Sequence, residues 1–187
     1  MKSIIRRLKR SGLYTQVRIN RTARQIKKWS RQDERLLAFY SHLIKENETC
    51  FDIGANIGNR TKIFKKLVGA EGRVVSFRPP DYCMRILKKA FKNAANVSFE
   101  QIALGAEPGT GEIAISNETT LSSMSGEWVK TVSQSKRFGN EAAWTRRQTV
   151  TISTLDSLID TYGVPAFMKI DVEGFENEVL SGLTRPI

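Results

Sequence analysis

At 187 residues, with 40% hydrophobic and 26% charged positions, the chain suits one globular domain with its own core and excludes a disordered or fibrous polymer. The formal net charge of +11 is unevenly placed: residues 1–50 hold 13 Lys/Arg against 4 Asp/Glu, leaving +2 for the rest. Two cysteines, Cys50 and Cys83, exclude a disulfide framework or a thiolate metal cluster, and the single histidine, His42, excludes a Ser-His-Asp triad elsewhere.

The first 32 residues, "MKSIIRRLKRSGLYTQVRINRTARQIKKWSRQ", carry 11 Lys/Arg and no acid. They hold no apolar run long enough for a signal peptide or a membrane span. Ile4, Ile5 and Leu8 would share one face of a short helix. The segment reads as a basic helical arm in front of a domain over 33–187. The arm is either solvated and partly packed on the domain, or in peripheral contact with anionic lipid or a phosphate-bearing partner. An organellar transit peptide is a third reading. The setting expected is reducing and cytoplasmic, with that membrane contact peripheral.

"DERLLAFYSHLIKEN" spaces Leu36, Leu37, Tyr40, Leu43 and Ile44 as a helix, with Asp33 and Glu34 favouring its start. "TCFDI" is a strand, followed by a glycine turn and a helix ending near Gly69. "RVVSF" (73–77) is a buried-type strand, 82–93 an amphipathic helix and 96–104 a third strand. That alternation predicts a doubly wound α/β sheet, parallel and covered by helices on both faces. Beyond it, 109–116 reads as an exposed hairpin strand. Residues 117–147, with Trp128 and Trp144, read as a long polar loop, either functional or a connector. Residues 148–153 alternate like an edge strand. A helix with Thr154 as cap, a fourth core strand, an acidic turn and a last helix complete the chain.

The turn after the first strand, "FDIGANIGNRT", sits where open α/β sheets bind ligands. Asn56 and Asn59 stand where a dinucleotide fingerprint needs glycines, and no Lys-Ser/Thr pair follows a glycine as in a phosphate-binding loop. What remains is Asp52, Gly54 and Gly58 in the pattern D-x-G-x-x-x-G. An acid beside a tight turn suits a ligand with a positive amino group and no pyrophosphate, such as S-adenosylmethionine; Asp52 capping the turn is the alternative.

Taken with "TLDSLIDTYGVPAFMKIDVEGFENEVLSGL", this turn closely resembles the FkbM family of S-adenosylmethionine-dependent methyltransferases over about residues 36–187. The resemblance implies a class I methyltransferase (Rossmann-like) fold and O-methylation of a hydroxyl on a sugar, glycolipid or natural product. By position it implies that Asp52, Gly54, Ala55, Asn56 and Gly58 line the cofactor. Asp171, Glu173 and Gly174 would then form an acidic turn facing the transferred methyl. Methyl transfer to a hydroxyl needs positioning and loss of one proton, so Asp171 and Glu173 are the catalytic candidates. The alternative has Asp171 binding the cofactor and Glu173 capping the next helix. No metal site is assigned.

Two departures qualify the resemblance. The family carries an acid at the end of the second strand, for the ribose hydroxyls, where this chain has Arg78. A guanidinium only donates, so Arg78 is a cofactor-site residue of altered chemistry, with Asp81 three residues on as a possible substitute. Family members also continue past "SGL" for several strands, which leads us to expect an open edge beside the fourth strand. The second reading of function is therefore an inactive methyltransferase-like domain that binds or scaffolds. An RNA methyltransferase is disfavoured for want of stacking aromatics and a distributed basic face.

Overall fold

The computed structural model of the chain describes residues 12–116, 120–135 and 144–187. Strand β1 (Thr49–Ile53) lies inside a parallel sheet, between β2 (Arg73–Phe77) and β8 (Phe167–Ile170), with β3 (Val97–Glu100) outside β2. The two-residue period of the strands decides what each side chain meets. Phe51, Ile53, Val75 and Phe77 pack with Leu155 and Leu158 of α6 (Leu155–Tyr162) and Val179 of α7 (Glu176–Ser181). Cys50 and Val74 pack with Ile63, Phe64 and Val68 of α3 (Thr61–Val68), flanked by Leu36, Leu37 and Tyr40 of α2 (Arg31–Tyr40). With helices on both faces, the central strands read as near-continuous apolar runs. Among the described residues β8 pairs only with β1, so its outer side is the open edge expected above.

The basic segment is helical and docked over α1 (Gly12–Ile26). Ile19, Ala23 and Ile26 bury against Ile86 and Ala90 of α4 (Asp81–Ala90). Ile4, Ile5 and Leu8 lie outside the described residues. Helix α2 begins at Arg31 and is capped by Ser30. The Ser30 hydroxyl accepts from the Asp33 amide (3.3 Å), and the Asp33 carboxylate accepts from the Ser30 amide (2.8 Å). Lys62 then pairs with Asp33 at 2.8 Å and ties α2 to α3.

Four expectations are corrected. Residues 96–104 are not one strand: β3 ends at Glu100, and β4 (Ala103–Leu104) turns into a second sheet of order β4-β7-β5-β6. There β7 (Arg146–Ser153) is interior, parallel to β4 and antiparallel to β5 (Gly109–Ile115), so it is not an edge. β5 is exposed only over its first half; Ile113, Ala114 and Ile115 are buried, Ile113 and Ile115 packing with Ala103 and Val150, and β6 (Ser122–Ser123) pairs with the end of the strand. Within 117–147, read as a loop, lies helix α5 (Gly126–Ser135). No helix of the described residues is long and apolar enough to cross a membrane.

Candidate functional site

The ends of β1 and β8 build the site. Because Phe51 and Ile53 face α6, Asp52 faces α3, and there it is wholly buried. Its carboxylate accepts from the Thr61 hydroxyl (2.7 Å), which also lies 3.1 Å from the Ser76 hydroxyl on β2. Lys169, opposite Asp52 in the β1–β8 register, stands 3.6 Å from Asp52 and 3.2 Å from Asp171. One ammonium therefore links a buried carboxylate to a solvent-facing one.

The two motif turns touch. The Gly54 and Ala55 amides both donate to the Phe77 carbonyl (3.1 Å each), which folds the turn over the end of β2. Gly54 has φ +78°, and a Cβ there would lie 1.9 Å from the Asp171 carbonyl oxygen. Glycine is required at position 54 because the β8 end passes against it. At Gly58 a Cβ would meet Phe91 and Leu87 (2.6 and 2.9 Å), so that glycine seats the turn on α4. Asn56 adopts a left-handed φ of 52° between them, and its side-chain Oδ1 is buried with no hydrogen-bond partner.

The acidic turn is braced from two sides. The Glu176 carboxylate accepts from the Val172 and Gly174 amides at 3.0 Å each. Glu176, and not Glu173, thus holds the backbone ahead of the last helix. Glu173 itself sits at φ 59°, and its carbonyl accepts from the Ser123 hydroxyl at 2.6 Å. A Cβ on Gly174 would strike Trp128 of α5, whose ring meets Trp144 edge-on at 5.8 Å. The β6–α5 segment therefore presses on the acidic turn.

Two clefts meet at Gly54. A polar one of about 630 Å³ runs over the glycine turn and takes in Asn56, Arg60, Thr120, Lys169 and Asp171. A narrow apolar one, with about 30 Å³ of free space, lies between Phe77, Ile102, Val172 and Phe175, with Arg78 and Ser122 as its polar members. Asp171 and Asn56 border the first cleft; Asp52 and Glu173 are not among the residues lining either. Arg78 is 4% exposed, and its Nη2 donates to the Thr120 carbonyl at 2.8 Å while Nε has no partner. Asp81 is exposed at the start of α4 and lines neither cleft.

A family model described as the methyltransferase FkbM domain matches residues 52–187. The chain belongs to this family. No curated protein matches it. Among solved structures it is similar to a candidate rRNA-methylase from Clostridium thermocellum at 23% identity. That match covers 41% of this chain and 42% of that one, with a TM-score of 0.35. It is also similar to a SAM dependent methyltransferase from Aquifex aeolicus at 20% identity, covering 42% and 44%, with a TM-score of 0.34. The matched part spans less than half the length of either.

Several residues of this FkbM domain escaped the sequence reading. Thr61 and Ser76 are ordinary polar letters in a helix and a strand, and only the fold sets them on Asp52. Thr120, Ser123 and Trp128 come from a segment without periodicity, and no sequence signal places them over the acidic turn. Lys169 joins two carboxylates, Asp52 and Asp171, which no local sequence pattern announces.

Proposed function

We propose that this FkbM-domain chain transfers a methyl group from S-adenosylmethionine to a hydroxyl of a sugar, glycolipid or natural product. The observation that carries the reading is the contact of the two motif turns at Gly54 and Asp171, which opens a polar cleft onto an apolar one. The cofactor would lie along this pair of clefts. Asp171 suits its ammonium end, and the apolar cleft would open further to take its adenine. Ala55, Asn56 and Gly58 would shape the turn around it, while Asp52 would act from below through Lys169. Only at the ribose is the chemistry altered, since Arg78 donates to hydroxyl oxygens and accepts nothing.

When bound, the cofactor supplies an electrophilic sulfonium methyl. The chain's own task is to align a hydroxyl and take one proton from it. Asp171, which lines the polar cleft beside Lys169, would take that proton, with Glu173 as the second carboxylate of the turn. A small-molecule or glycan acceptor would enter over this turn.

The second reading, a binding module without catalysis, is favoured by one observation. Arg78 is buried and tied to Thr120 where an acid is expected. Incubation with methyl-labelled S-adenosylmethionine and a panel of glycans, glycolipids and polyols separates the two. Alkali-stable label on a hydroxyl, lost in Asp171→Ala, is the expected result. Cofactor binding with no transfer to any acceptor would leave the binding module.

A further inference from the structure

Away from these clefts, a recess of about 920 Å³ opens where the end of α1 meets α3 and α4. Its floor is Ile26, Ala90 and Phe91, and its walls are Lys27, Lys62, Lys65 and Lys66 around Trp29. No carboxylate lines it. Lys62 is neutralised by Asp33, but among the described residues Lys27, Lys65 and Lys66 have no ion-pair partner. Three uncompensated ammoniums around an apolar floor fit an anion attached to hydrocarbon.

The methyl-transfer reading gives this recess no role. We propose that it seats the headgroup phosphate of an anionic phospholipid and docks this face of the protein on a membrane surface. The outward face of α1 is basic and apolar as well. Leu13, Val17, Arg21 and Arg24 follow one another at helical spacing, opposite the buried Ile19, Ala23 and Ile26. Leu13 is 76% exposed and Val17 56%, two apolar side chains left in water on a helix without an acid. Apolar and basic residues together on one helix face are what an interfacial helix presents to a charged bilayer. Trp29 is 40% exposed at the end of that face, and a half-wet indole suits the headgroup level. A lipid is favoured over nucleic acid by the state of that ring. Lys62 and Lys66 stand over it at 5.5 and 5.1 Å, so it is engaged by cations and not open to stack a base. Residues 1–11 add five Lys/Arg and no acid, so they reinforce the attraction and are unsuited to filling the recess themselves.

The test uses the full 187-residue chain with vesicles of phosphatidylcholine alone or mixed with phosphatidylglycerol. Sedimentation should show binding only to the anionic vesicles. The Lys65→Glu/Lys66→Glu double variant, which leaves residues 1–32 intact, should lower that partition by about a hundredfold. Trp29 emission should shift to the blue on the same vesicles, a change absent in Trp29→Phe, which keeps the fold readable by its thermal transition. Equal binding by parent and double variant would overturn the proposal, since the charge of residues 1–32 would then suffice without the recess. So would saturation of the Trp29 signal by inorganic phosphate without vesicle binding, or tighter binding of a single-stranded oligonucleotide through the same lysines.

Discussion

Gly54 shows how the two motifs depend on each other. Its glycine follows from the Asp171 carbonyl lying where a Cβ would go, so Gly54→Ala should lower stability by more than about 2 kcal/mol. A denaturation midpoint equal to the parent's would mean that the turns do not abut. Asp52 depends on Thr61 in the same way. Thr61→Val keeps the shape but removes the one hydroxyl donor to a buried carboxylate, at a cost of about 1–3 kcal/mol, and Thr61→Ser should restore most of it. The Cys50 thiol is pushed up to about 12 by burial and by the nearby carboxylates of Glu48 and Asp52. Burial also raises the Cys83 thiol, against the opposing pull of Arg78. Neither should react with a thiol reagent at neutral pH until the chain unfolds, and rapid labelling of the native protein would contradict that.

At the scale of elements, the start of α2 and the β8 edge lead to separate expectations. Burial works to raise the Asp33 carboxyl, but hydrogen bonds from Lys62 and Ser30 prevail and hold it below the ordinary value. A lowered carboxyl contributes stability above its unfolded value that is lost as pH falls. The α2–α3 clasp should therefore weaken below about pH 4, and Asp33→Asn should flatten that acid limb of the melting curve. Tyr162 behaves in the opposite sense. Burial and its bond to Glu100 push the phenol up to about 12 from 10, so its contribution is intact below pH 10 and lost as pH rises towards 12. Melting followed through that window should decline less in Tyr162→Phe. The open side of β8 predicts self-association of the 187-residue chain, and a sharp monomer peak at all concentrations in size-exclusion chromatography would contradict it.

Over the whole molecule, what the sequence made legible is what the sheet buries. β1 and β2 showed as short apolar runs because both faces are covered, and the turns of Gly54 and Gly174 showed because left-handed backbone against a neighbour admits little else. Helix α5 was hidden because Val132 is its only buried residue, so no apolar stripe marks it. The second sheet was hidden because Gln101 and Ile102 break a run that reads as one strand. The membership of residues 52–187 in the FkbM family now meets an apolar cleft lined by a buried guanidinium, Arg78. The most direct measurement is calorimetric titration of S-adenosylmethionine into the parent chain, Asp171→Ala and Arg78→Glu. The parent should bind at one site, Asp171→Ala should not, and Arg78→Glu should bind about tenfold to a hundredfold more tightly because a carboxylate accepts from ribose hydroxyls. Absence of heat in all three, with cooperative melting retained, would contradict cofactor binding between the two turns.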